Sequence, residues 1–123
     1  MAVSILQQRD YLIATIHAAL EDSALRALQR GLIEGVGRAR ARGVIVDVTG
    51  LDVIDSFATR TLRDLAHAIR LRGAETVIVG IQPEVAFAMA QLGLSFVGVA
   101  TALDLEEGLA FLDRRFTRRQ RRR

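Results

Sequence analysis

Gly43-Val-Ile-Val-Asp-Val-Thr-Gly-Leu-Asp-Val-Ile-Asp55-Ser56-Phe-Ala-Thr59-Arg60-Thr-Leu-Arg-Asp-Leu-Ala66 holds three kinds of pattern in succession. Val44 to Val48 is apolar apart from Asp47 and reads as a buried strand. Thr49 to Asp52 reads as a turn. Ala58, Leu62, Leu65 and Ile69 then recur at helical spacing and make one apolar stripe. Asp55 or Ser56 can cap that helix, because either side chain can accept a hydrogen bond from a first-turn N–H. The first turn of a helix has unpaired N–H groups and partial positive charge, so it accepts a hydroxyl or a phosphate. Phosphorylation of Ser56 would add about −1.5 to −2 charges there, although capping alone already accounts for a serine at a helix start.

Moving outward, amphipathic segments end in glycine before apolar runs at Arg42-Gly43-Val44, at Arg72-Gly73-Ala74 before Thr76 to Val79, and at Leu92-Gly93-Leu94 before Phe96-Val97. Each glycine is expected to be a left-handed helix C-cap, and strands are expected after it, the last at Phe96-Val97. Further helical stripes run through Leu25, Leu28, Leu32, Val36 and Ala39, through Val85, Met89 and Leu92, and through Leu105, Leu109, Leu112 and Phe116. Their starts are marked by Asp22 or Ser23, by Pro83 with Glu84, and by Asp104 with Glu107. Val3 to Gln8 and Tyr11 to His17 read as a hairpin around Gln8-Arg9-Asp10. The resulting order is β-β-α-β-α-β-α-β-α, an α/β fold.

The chain has 123 residues, half of them hydrophobic, which suits one domain with a continuous core. With no cysteine, disulfides and thiolate metal sites are ruled out, and the composition suits a reducing cytoplasm. The N-terminus does not read as a secretory signal, and no segment approaches the roughly 18 apolar residues of a membrane span. All 17 basic residues are arginine; without lysine there is no P-loop, Schiff-base or lysine-dependent phospho-aspartate chemistry. The net charge of +3 conceals a split, since residues 1–113 hold ten arginines against fourteen acids, a net of −4, and residues 114–123 hold seven arginines. A basic tail on an acidic body is not the basic stripe of a nucleic-acid binder, so neither a nucleic-acid nor a membrane partner is expected. The division is therefore a domain over 1–113 and an arginine-rich extension over 114–123, expected to be frayed or disordered.

Asp55-Ser56-Phe57, followed by Thr59 and Arg60 and preceded by Val44 to Val48, resembles the phosphorylation signature of STAS-domain anti-sigma-factor antagonists, specifically the small S-type scaffold proteins of bacterial stressosomes. The resemblance continues through Gly80-Ile-Gln-Pro-Glu84 and Thr101-Ala-Leu-Asp-Leu-Glu-Glu-Gly108, spanning about Ile5 to Leu112. It implies a single STAS domain whose mixed sheet carries helices largely on one side. It also implies a cytoplasmic, non-enzymatic module without cofactor or metal that sequesters a serine protein kinase and releases it when Ser56 is phosphorylated, with Asp55 as the cap and Ser56 pointing outward. Implied partners are that kinase, a phosphatase acting on Ser56, a paralogous STAS co-antagonist, a second copy of the chain and a large hetero-oligomeric shell. The implied partner surface is Asp52, Asp55, Ser56, Phe57, Thr59 and Arg60. A stand-alone STAS subunit of another partner-switching or lipid-transport system is the alternative.

Thr59 is a secondary phosphorylation candidate, weighed against a hydroxyl bonded to local backbone. Asp47, at a strand end, is expected to be a structural carboxylate bonding the turn from Thr49 to Asp52, because it lacks the acidic pair and lysine of a phospho-acceptor site. His17 and His67 are fifty positions apart and suggest neither a metal site nor a catalytic triad. Gly31, Gly35 and Gly37 lie inside a helical pattern with the wrong spacing for a dinucleotide loop and suggest close helix packing.

Overall fold

The computed structural model describes residues 3–19 and 21–121, with side chains through Thr117. The elements are β1 (Val3–Gln8), β2 (Tyr11–Ile16), α1 (Asp22–Ala39), β3 (Gly43–Asp47), α2 (Ser56–Leu71), β4 (Glu75–Val79), α3 (Pro83–Gln91), β5 (Ala100–Ala102) and α4 (Leu105–Arg121). The five strands lie in sequence order; β1 is antiparallel to β2 and every later pairing is parallel. Parallel strands that step in one direction across a sheet, joined by right-handed crossovers, place every crossover helix on the same face. α1, α2 and α3 accordingly cover one side, where Leu28, Leu32, Leu65 and Met89 pack on Leu12, Val44, Val46 and Ile78. α4 is not a crossover and covers the opposite side, with Leu112 and Leu109 against Ile13, Ile45, Val77 and Val79.

The expected order is the observed one, with local differences. The last strand is Ala100–Ala102, paired with Val77 to Val79, and not Phe96-Val97. Phe96 is buried in the core and Val97 is exposed, so these bulky residues anchor a loop, and a small Ala-Thr-Ala segment makes the edge strand. Gly73 and Gly93 have positive φ past the ends of α2 and α3, but α1 is closed by Arg40 in the left-handed region (φ 50°). Gly43 instead opens β3, where a Cβ would sit 2.8 Å from Leu112 Cδ1 and 3.2 Å from Tyr11 Cδ1; the glycine lets α4 approach the sheet. α1 is preceded by Glu21 with no side-chain cap bond, leaving Asp22 in the first turn. Gly31 and Gly35 do face packed neighbours, with Cβ positions 3.5 Å from Ile5 Cδ1 and 3.2 Å from Leu12 Cδ1.

α4 runs without interruption to Arg121, so the boundary expected between 113 and 114 is not a helix end. Tyr11 donates its hydroxyl to Asp113 Oδ1 at 2.5 Å and stacks on Phe116 at a centroid distance of 6.0 Å. Arg115 pairs with the buried Glu75 carboxylate at 3.6 Å, and Arg42 lies over the Phe116 ring. These contacts join the start of the arginine-rich segment to the body; Arg122 and Arg123 lie outside the described residues. Burial, reinforced by the bond to the Asp113 carboxylate, holds the Tyr11 phenol well above its usual pKa.

Candidate functional site at the mouth of the second helix

In parallel α/β sheets the loops at the carboxyl ends of the strands are free to build sites, because the helices they lead into begin there. β3 ends at Asp47, whose Oδ1 accepts from Thr49 N at 2.9 Å and from Thr49 Oγ1 at 2.6 Å. The carboxylate therefore shapes the turn. Leu51 and Ile54 bury their side chains and pin the loop to the core, leaving Val53 between them 68% exposed.

The β4–α3 loop completes the support. Gly80 has φ +81°, and any Cβ there would collide with the Thr49 hydroxyl. Gln82 donates from Nε2 to Thr49 O at 2.7 Å, with Asp52 Oδ1 at 3.4 Å. Gln82 precedes Pro83 as the N-cap of α3 but makes no cap bond with its side chain; its amide joins two loops instead. Sequence reading places Gly80 to Glu84 in a family signature without assigning Gln82 this task, because a bond across 33 positions leaves no local periodicity.

At the mouth itself, Asp55 is the cap: its Oδ1 accepts from Ala58 N at 2.7 Å. Ser56, the first helical residue, is exposed, and among the described residues its side chain has no hydrogen-bond partner. Asp52, Phe57 and Arg60 are exposed nearby, Phe57 at 40%. Thr59 is not part of this surface. It is 2% exposed and its hydroxyl donates to Asp55 O at 2.8 Å, so both the secondary phosphorylation assignment and the partner-contact assignment at Thr59 meet a buried, bonded side chain. Between the starts of α1 and α2 lies a cleft of about 140 Å³, lined by Ala19, Leu51, Val53, Phe57 and Ala58 and edged by Asp22 and Asp55. Asp22 is read from the sequence only as a helix start and Val53 not as a site residue, because the cleft that joins them depends on the tertiary pairing of the two helix starts.

No group of side chains among the described residues could hold a metal ion, and no described helix is long and apolar enough to cross a membrane. What the mouth presents is an exposed serine hydroxyl among exposed apolar and acidic side chains. Residues 2–108 match the STAS domain family. This chain belongs to the STAS domain family. Among solved structures, this STAS domain is similar to a serine-to-glutamate variant of RsbS from Moorella thermoacetica, with 32% identity and a TM-score of 0.77 over 93% of this chain and 97% of that one. It also matches a chain in the molecular architecture of the stressosome, described as a signal integration and transduction hub, at 31% identity and TM-score 0.70 over 90% and 96% of the two chains. Among curated proteins it is similar to the RsbT co-antagonist protein RsbRA of Bacillus subtilis, 29% identical over 90 residues, covering 73% of this chain and 33% of that protein. The STAS domain thus spans about a third of the length of the RsbT co-antagonists it matches.

Proposed function

We propose that this STAS domain is a phosphorylation-regulated scaffold and anti-sigma-factor antagonist of a stressosome-type assembly, acting by binding and not by catalysis. In its unmodified form it captures a serine protein kinase, and phosphorylation of Ser56 releases that kinase; a phosphatase resets the site. Its co-assembly partners are longer STAS proteins of the RsbT co-antagonist type and further copies of itself, and its setting is the cytoplasm. The likeness to RsbS across nearly the whole of both chains supports the scaffold role.

The observation that carries the reading is the division of labour between Asp55 and Ser56. Asp55 satisfies the helix start, so the exposed Ser56 hydroxyl can be modified without removing the cap. A phosphate at the first position of α2 is favoured by the helix dipole, so the fold tolerates it. The same dianion stands beside exposed Val53 and Phe57 and beside Asp52, where it opposes docking of an apolar or acidic partner surface. Asp52, Asp55, Phe57 and Arg60 complete the contact surface, and Thr59 supports it from within by its bond to Asp55 O.

The test is to incubate the protein with its cognate serine kinase and ATP and to map phosphate by mass spectrometry. Phosphate on Ser56, with labelling lost in Ser56→Ala, is expected. Phosphate confined to other residues, or equal labelling of Ser56→Ala, would refute the assignment.

A further inference from the structure

Arg60 stands one helical turn beyond Ser56 on α2, and both side chains are exposed. Residues four apart on a helix are neighbours, with Cβ atoms about 5 to 6 Å apart. Long helical side chains lean back toward the helix N-terminus, which puts Ser56 and Phe57 within reach of the Arg60 guanidinium. Among the described residues that guanidinium has no hydrogen bond and no ion pair. Arg70, in the last turn of the same helix, is by contrast held by Glu75 at 3.8 Å and by Gly98 O at 2.7 Å.

The competitor for Arg60 is Asp64, four residues further on and exposed, yet not paired with it. Chain order separates the two candidates, since an acid four residues before its base is better placed than one four residues after. A phosphate on Ser56 stands in the favoured order and Asp64 in the other. The phosphate also brings about −1.5 to −2 charges and three acceptor oxygens, more than a carboxylate carries. Other charged side chains around the mouth are acids: Asp52 and Asp55 in the β3–α2 loop, Asp22 at the start of α1 and Glu84 at the start of α3. The cleft beside Ser56 is edged by Asp22 and Asp55 and not by Arg26 of α1. Arg63 is half-buried and seven residues from Ser56, about 10.5 Å along the axis.

We propose that Arg60 clamps the phosphate on Ser56, its guanidinium turning back one helical turn to donate to the phosphate oxygens. In the unmodified protein Arg60 is open to an acidic group of the captured partner. In the phosphorylated protein the planar guanidinium is taken by charge-assisted hydrogen bonds within its own chain. Release then has two sources: a negative charge is added to the contact surface, and a basic anchor is withdrawn from it. The clamp rests on the reading of Ser56 as the phosphorylated residue, and its test contains no kinase.

The test uses the full chain with phosphoserine incorporated at position 56 during translation, titrated by phosphorus NMR. The second ionisation of the phosphate, ordinarily near a pKa of about 6, should lie about half a unit lower in the wild-type background than in Arg60→Gln, the scale of one charge-assisted pair at this spacing. Arg63→Gln removes the same charge from further along the helix and should shift the ionisation less than half as far. In the wild-type background the Arg60 Nε–H resonance should move downfield as the phosphate loses its last proton. Failure of the kinase to modify Ser56 would refute the functional reading without altering this titration. The clamp itself is overturned by a phosphate that titrates alike with Arg60 and with Arg60→Gln, by an Arg63→Gln shift as large as that of Arg60→Gln, or by an Arg60 Nε–H resonance indifferent to the phosphate.

Discussion

The amino and carboxyl ends of the parallel strands receive opposite treatment. At the amino end, Tyr11, Asp113, Phe116 and Arg42 interlock, and Glu75, 8% exposed at its side chain, is met by Arg70 and Arg115 at 3.8 and 3.6 Å. At the carboxyl end, the β3–α2 loop is held from beneath by Asp47, Gln82 and the buried Leu51 and Ile54, while Val53, Ser56 and Phe57 are exposed. One end ties the last helix to the sheet and the other presents groups that the fold leaves unused. The difference teaches where substitutions should change stability and where they should change recognition.

The largest expected effect lies at the support of the exposed end. Gly80→Ala forces a side chain into a positive-φ position and into the Thr49 hydroxyl, and should destabilise the protein by about 2 to 4 kcal/mol in a denaturant titration. A change below about 1 kcal/mol would mean that the two loops are not rigidly joined.

A smaller effect is expected at the sealed end. Tyr11→Phe removes one hydrogen bond and should cost about 1 kcal/mol at neutral pH. The folded Tyr11 phenol is held above its unfolded pKa of about 10, so its contribution is fully present below that pH and is lost as pH rises past it. Wild-type stability should therefore fall above about pH 10 relative to Tyr11→Phe, narrowing the gap between the two proteins. A gap that stays constant through that window would show that the phenol–carboxylate bond does not shape stability.

Much of this contrast was legible in the sequence where the signal was local. The Ala58, Leu62, Leu65, Ile69 stripe and the Asp55 cap follow from helical spacing and capping chemistry, and together they put Ser56 at a helix mouth. Thr59 was ambiguous because the buried side of α2 is broader than that stripe and includes Ala66. The edge strand was misplaced because Phe96-Val97 has the stronger strand composition, while pairing with Val77 to Val79 selected Ala100–Ala102. Gly43 looked like a cap because its need, the close approach of Leu112, comes from a helix about seventy positions away. Gln82 and the cleft at Val53 depend likewise on which loops meet at one end of the sheet.

The central claim, that charge at Ser56 controls recognition without governing the fold, is tested most directly by calorimetric titration of wild type, Ser56→Ala and Ser56→Asp against the cognate serine kinase, with thermal melts of each. An added carboxylate at the α2 N-terminus should leave stability unchanged or raise it by about 0.3 to 1 kcal/mol. Ser56→Ala should keep wild-type affinity for the kinase, and Ser56→Asp, with less charge than a phosphate, should bind measurably more weakly. Equal affinity of folded wild type and folded Ser56→Asp would contradict the account.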